Sequence, residues 1–398
     1  MSNSSYTAEE EKKIVLVTGP PGNGRDEYIR EALPKLENKV KVGYYHIFEY
    51  MQRSAPSHGV PNLTRENVFD IARSTLERIR DSAFIEVAEE IKNSNNQIEI
   101  ISTPAVFKVI PWGDYLSGKV NGVTLDHIKQ LNPTNIVIFI DDLLRVREKM
   151  KEDPLRRRMH LALKDLAEWR RLAIEIVQEY TDQRFYSVDW IIFAKEHPVD
   201  TFVDLLLGEK PRIYLSYHIT GQHDFQDVHR FMNKLSSNFV SIDPYTIKDW
   251  DIVKAYDNAL EKGEKDQISI DVNYRNGPQT FSNIPLGEIE DAIDLIRTQI
   301  VERDFLLIAN VHATVVYHKS EAPSYGVMAE VIHSVTRVNR PVYVLYPFKT
   351  RPSPFFEHFV KRENIIHGDE SIERLEDEMV ERLKHDYKTW PTIASTNF

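Results

Sequence analysis

Cysteine is absent from the 398-residue chain, which excludes disulfides, thiol nucleophiles and cysteine metal sites and leaves a cytoplasmic protein as the default expectation. Long apolar runs are absent as well. The longest are strand-sized, such as Ile136 to Ile140, far short of the ~20 residues that cross a bilayer, so a soluble protein with no membrane partner is expected. Positive charge is in deficit. A formal net charge of -11 argues against broad duplex binding, and no specific nucleic-acid partner is expected, although a local basic pocket for one small nucleotide is compatible with it. Residues 1 to 12, rich in Ser, Asn and Glu, have no apolar core or cleavage-site pattern and read as a flexible tail.

What is present is the composition of a packed globular protein, 41% hydrophobic and 28% charged. Single cores stop growing at roughly 250 to 300 residues, so two domains are expected. A short apolar run, Lys13 to Thr18, leads into a glycine-rich loop and a helical stretch to Leu36. Strands are predicted at Val40 to Tyr45, Ile98 to Ser102 and Ile136 to Ile140, with helical patterns at Arg65 to Lys92 and Thr124 to Gln130. Such alternation predicts an α/β domain with a parallel sheet over 13–207. A charged helical stretch runs from Asp142 to Asp182, and a last helix covers Val199 to Leu207.

Residues 208–211 read as a linker, and the pattern then restarts over 212–398. Strands are predicted at Arg212 to Tyr217, Phe239 to Ile242, Phe305 to Val311 and Val342 to Tyr346. Helices are predicted at Asp224 to Leu235, Tyr325 to Val338 and Ser371 to Lys384. The charged segment 248–285 reads as an insertion on this second domain.

The loop Gly19, Pro20, Pro21, Gly22, Asn23, Gly24 has the glycine spacing of a phosphate-binding loop, in which backbone N–H groups converge on phosphate oxygens. Its chemistry is altered. Arg25 stands where a lysine reaches the terminal phosphates, and Asp26 where a hydroxyl holds Mg²⁺. An ordinary strand-to-helix turn is the bland alternative. The stretch 12–207 resembles archaeal-type adenylate kinases, on this loop, Ser102-Thr103-Pro104-Ala105, Gly113 to Gly118, and Leu131-Asn132-Pro133 before the strand ending at Asp141. That resemblance implies a P-loop nucleoside-monophosphate-kinase-like sheet, with Arg145, Arg156, Arg157 and Arg158 in a phosphate-contacting lid. A solvated helix face explains the arginine cluster equally. The family's loop ends in Gly-Lys-Thr and its third strand is followed by Asp-Thr-His, so the departures favour nucleotide binding, with ATP and Mg²⁺ as the ligands such a loop admits, over phosphoryl transfer.

In the second domain Asp304 is expected at the mouth of the strand Phe305 to Val311, and Pro323 to Glu330 opens the following helix. Ser324 and Gly326 at a helix N-terminus suit an anion, with Glu330 two turns in. This arrangement resembles the nucleoside 2-deoxyribosyltransferase superfamily, especially its deoxynucleoside 5'-monophosphate N-glycosidases. The resemblance spans Arg212 to about Pro347 and implies a flavodoxin-like, Rossmann-type domain. It also implies a phosphate contact at Ser324, a nucleophile at Glu330, a sugar contact at Asp304, and a phosphate loop over Tyr214 to Gly221 that includes His218 and Thr220. Here the family's glycine-rich loop with an arginine is Ser216-Tyr217-His218-Ile219-Thr220-Gly221, and Val331 replaces the glycine after the glutamate. His218 reads equally as a phosphate donor or a structural histidine.

A carboxylate beside an N-glycosidic bond stabilises the positive charge that builds on the sugar, or captures it as an ester. The expected activity is therefore N-glycosidic cleavage of a nucleotide, with no cofactor required, joined to a nucleotide-binding domain. Cleavage of NAD, a catalytically silent nucleotide sensor, and an active nucleoside monophosphate kinase are the alternatives. The resemblance further implies a homo-oligomer.

Overall fold

A computed structural model of the chain describes residues 12–109, 118–152, 161–181, 188–219, 225–318, 320–322 and 324–393. The protein is α/β, built on two five-stranded parallel sheets.

The first sheet begins with β1 (Lys13–Thr18), which the glycine loop connects to α1 (Arg25–Glu37) and then β2 (Val42–His46). Helices α2 (Ile47–Ser54) and α3 (Arg73–Asn93) lead to β3 (Ile98–Ser102), followed by a two-stranded hairpin of β4 (Val106–Val109) and β5 (Gly118–Asn121). Next come α4 (Leu125–Leu131), β6 (Asn135–Ile140), α5 (Leu143–Glu152), α6 (Leu163–Thr181), β7 (Asp189–Ala194) and α7 (Val199–Leu207). The strand order is β2-β3-β1-β6-β7. Strands β3 and β6, fully or almost fully buried, flank β1, so the glycine loop leaves from the middle of the sheet. Strand β7 was not among the sequence expectations, because its run DWIIFA directly follows a long charged helix and is bracketed by no glycine or proline turn on its N-terminal side.

The second sheet starts with β8 (Arg212–Tyr217), α8 (Gln226–Ser236) and β9 (Val240–Ile242). Helix α9 (Asp249–Lys262) and an antiparallel hairpin, β10 (Gln267–Tyr274) and β11 (Gly277–Pro285), precede α10 (Leu286–Glu290) and α11 (Ile293–Ala309). The chain then returns to the sheet with β12 (Ala313–Tyr317), α12 (Tyr325–Thr336), β13 (Val342–Tyr346), α13 (Pro354–Phe359), β14 (Ile365–His367) and α14 (Ile372–Asp386). The order β14-β13-β12-β8-β9 places β8 beside both β9 and β12. Connections leave in opposite directions at that point, the place where open α/β sheets generally take their ligands.

One strand expectation fails. Residues Phe305 to Ala309 end helix α11, and the strand lies later, at Ala313–Tyr317. The buried positions Ile293, Ile296, Gln299, Arg303 and Leu307 recur every three or four residues, the period of a helix face, whereas a short apolar run alone fits either element. Asp304 therefore projects from the last turns of a helix.

The segment 248–285 does not stand apart as a decoration of the second sheet. In β10 alternate residues Ile268, Ile270, Val272 and Tyr274 are buried, and they join a hydrophobic core shared with β1, β6, β7, α6 and α11. Polar contacts fix the same junction. Arg170 of α6 donates to Gln299 of α11 (2.9 Å) and pairs with Asp249 of α9 (2.5 Å), while Gln299 donates back to the Ala167 carbonyl (2.8 Å). Arg147 of α5 pairs with Glu288 of α10 at 2.7 Å. Each charge taken from water here has a hydrogen-bonded partner, the condition under which burying it is tolerable.

Candidate functional site

Two sites occupy equivalent places, each at the carboxyl end of the strand with which its sheet begins. In the second sheet, alternation along β8 sends Tyr214 and Ser216 to one face and Ile213, Leu215 and Tyr217 to the other, where they pack against α8 and α14. Glu330 of α12 reaches the first face. Its carboxylate accepts a hydrogen bond from the Tyr214 hydroxyl at 2.9 Å on one oxygen and from the Ser216 hydroxyl on the other. Both carboxylate oxygens are thus held by neutral donors, which fixes the side chain without neutralising it.

Burial, followed by the charge of Asp304, pushes the Glu330 carboxyl up to about 8, against the opposing pull of the Ser216 and Tyr214 hydrogen bonds. Asp304 is itself raised by burial, although Arg303, which donates to it from Nε (3.0 Å) and Nη2 (2.9 Å), favours its charged form. The pair thus combines two carboxyls whose environments oppose ionisation and one guanidinium that offsets part of that opposition. Tyr214 is pushed up by burial and by the same two acids, so it stays a hydroxyl donor.

Ser324 is the N-cap of α12, and its hydroxyl accepts from the Val327 N–H at 3.4 Å. Gly326 and Tyr325 lie on the exposed first turn, with Tyr325 92% exposed. His218 follows β8, and its Nδ1 is buried without a hydrogen-bond partner among the described residues. Thr220 and Gly221 lie outside the described residues, as do Arg156, Arg157 and Arg158. Ser216 lies inside the predicted loop without a role of its own, yet its i, i+2 spacing from Tyr214 on a buried strand is the signal that puts both hydroxyls on Glu330. Arg303 left no such signal, since a charged residue on a helix is ordinarily solvated.

In the first sheet, Gly19 and Gly24 have φ of 143° and 76°. A Cβ on Gly19 would lie 2.1 Å from the Phe139 carbonyl oxygen, so that position accepts only glycine. Gly22 also has positive φ, at 84°. The Asn23 side chain spans the loop, donating to the Phe139 carbonyl at 2.6 Å and accepting from the Arg25 N–H at 3.1 Å.

Arg25 and Asp26 are occupied with each other and with the sheet. The Arg25 Nε donates to Ser102 at 2.7 Å, its Nη2 lies 3.4 Å from Asp26, and only 4% of the residue is exposed. Asp26 also accepts from Ser102 and from Tyr44 (3.3 Å) and lies 3.4 Å from His46 Nε2. Burial would raise its carboxyl, but the charge of Arg25 and the contacts with His46 and Ser102 outweigh it and hold the group far below the usual carboxylate range. Arg145 is engaged too. It donates to Glu196 at 2.8 Å, lies 3.6 Å from Asp141 and stacks 3.4 Å from the Tyr274 ring centre, so it does not extend over the loop as a lid arginine would.

Mg²⁺ fits this loop poorly. Asp26, at the position of the metal-holding hydroxyl, already has four partners, and the buried carboxylate at the end of β6, Asp141, faces Lys195 at 3.4 Å and Arg145. Over the loop lies a cavity of about 330 Å³. Its walls combine apolar side chains of α2 and α3, including Phe48, Met51 and Leu76, with the cations Arg65, Arg80 and Lys149. An apolar wall with few polar groups is the usual make-up of a small-molecule site.

No protein-family model matches the chain, and no curated protein matches it.

Proposed function

We propose that the protein cleaves the N-glycosidic bond of a nucleotide with Glu330 as nucleophile, and that the first sheet carries a separate nucleotide-binding site. The observation that carries this reading is the carboxylate of Glu330, held on both oxygens by Tyr214 and Ser216 of β8. The order of the second sheet, with its first strand between the second and third, supports the flavodoxin-like reading, in which ligands bind beyond the carboxyl ends of these strands.

A Glu330 oxygen attacks the anomeric carbon as the bond to the base breaks, and the bonding electrons leave with the base nitrogen, which takes a proton from solvent, while Asp304, paired with Arg303, adds negative charge near the developing positive charge on the sugar. Water then displaces the carboxylate from the anomeric carbon and gives its proton to solvent, releasing the sugar phosphate. Burial raises both acids and the charge of Asp304 raises Glu330 further, so Glu330 gains its attacking form as pH rises. The helix N-terminus at Ser324 faces the phosphate.

Chromatographic detection of free base tests the reading. Wild-type protein and Glu330→Gln are incubated with nucleoside monophosphates, deoxynucleotides and NAD, with and without ATP. Release by the wild type alone is expected, and the panel separates nucleotide from NAD cleavage. No release from any member sinks the glycosidase.

A second reading, a silent nucleotide sensor, is favoured by one observation. With its carboxyl pushed up to about 8, most Glu330 is protonated at neutral pH and cannot attack. Binding without turnover across the pH range would select it. Phosphoryl transfer is not proposed, because Arg25 is directed into Ser102 and Asp26.

A further inference from the structure

The reading of the glycine loop as a nucleotide site leaves it without its cation, since Arg25 is locked into the sheet. Two lysines from distant parts of the chain converge on the loop instead. A Cβ placed on Gly24 would lie 2.8 Å from Lys195 Nζ and 3.0 Å from Lys149 Nζ. Lys195 follows β7, at the far side of β6, and Lys149 lies in α5. Gly24 is the N-cap of the 13-residue helix α1, so both ammonium groups sit where the helix dipole is already positive.

Like charges gathered at a positive helix end repel one another unless an anion joins them. The nearest carboxylates meet that need only in part. Lys195 is 3.4 Å from Asp141 and Lys149 is 3.5 Å from Glu27, both longer than the 2.7–2.9 Å of a charged hydrogen bond. A further donor points the same way: Nη1 of Arg25, a residue that lines the cavity, is buried with no hydrogen-bond partner among the described residues. The apolar wall of α2 and α3 across the same cavity suits a base.

We propose that Lys149 and Lys195 together replace the loop lysine, and that the cavity binds a nucleoside diphosphate without a metal ion. The inference rests on the nucleotide reading of the first sheet. The lysines supply the charge that Mg²⁺ ordinarily brings to the phosphates, and the carboxylate that would hold the metal is turned to Lys195.

Isothermal titration of the full-length chain with ADP in EDTA tests it, beside pyrophosphate and ADP with Mg²⁺. Wild-type protein is expected to bind ADP in EDTA, and more tightly than pyrophosphate. Lys149→Gln and Lys195→Gln should each weaken ADP at least tenfold, and Lys195→Arg should recover most of the loss. Thermal unfolding of each variant separates lost binding from lost fold. Lys149, 38% exposed, is the cleaner probe. Wild-type binding unchanged in both Gln variants would overturn the lysine assignment, and binding seen only with Mg²⁺ would overturn the metal-free site. Pyrophosphate binding as tightly as ADP would overturn the role of the apolar wall. No ADP binding in either buffer would remove the nucleotide reading itself.

Discussion

The carboxyl ends of the two sheets carry opposite chemistry in equivalent places. At the first, cations gather around a rigid glycine loop and the nearby acids are spent on internal pairs. At the second, two acids face each other across hydroxyl donors, and the one guanidinium is held by the acid that does not receive those hydroxyls. A site of the first kind lowers the energy of an anion that is already there. A site of the second kind keeps a carboxylate poorly solvated, which raises its reactivity toward a developing positive charge. On the proposed reading, capture and bond cleavage are divided between the sheets.

The sharpest way to break that division is Glu330→Gln, which should lower base release by about 10³-fold or more while ADP binding at the glycine loop keeps its affinity. Parallel loss of both would show one composite site. Next in size, Arg25→Ala should destabilise the fold by about 2–4 kcal/mol, because Asp26 is left buried without its cation, as measured by urea unfolding. Asp26 has a folded value below its unfolded one, so its stabilising contribution is present above the unfolded carboxylate range and is lost as pH falls through the folded value. The Arg25→Ala deficit should therefore shrink in acid.

Smaller effects sharpen the second site. Tyr214→Phe and Ser216→Ala each remove a donor to the ionised carboxylate, so each should cut base release roughly tenfold and shift its pH midpoint upward by about one unit. In the wild type that midpoint is expected near the Glu330 value of about 8, with activity rising as pH rises, since the ionised form attacks. For stability the sign reverses. A carboxyl raised in the folded state favours folding most below its unfolded value, and that contribution is lost as pH climbs toward 8. Glu330→Gln should consequently gain about 1–2 kcal/mol over wild type at pH 9 and much less at pH 5, by denaturant unfolding at the two pH values.

Much of the scaffold was legible in local pattern. Lys13–Thr18, Ile98–Ser102, Arg212–Tyr217 and Val342–Tyr346 are strands with the bounds that their apolar runs predict, because a fully buried parallel strand reads as a continuous apolar segment. Phe305 to Val311 has the same composition and is mostly helix. Its assignment depends on α11 packing beside α6 and β7, which no local window contains. Glu330 and Tyr214 were named from sequence and meet. Lys195 was not, because its approach to Gly24 depends on the register of β6 with β7 and on a strand that the pattern hid.

Helix α11 touches α6 through Gln299 and carries Asp304 one turn later, so it is a wall common to both halves. Severing the chain within 208–211 would not yield two working proteins. The first half would bare the apolar bed of β10 and α11, the second would keep Asp304 on an unsupported helix, and each would be prone to aggregate through surface that the other normally covers. A substitution at Arg170 or Gln299 would loosen the wall on which both halves rest.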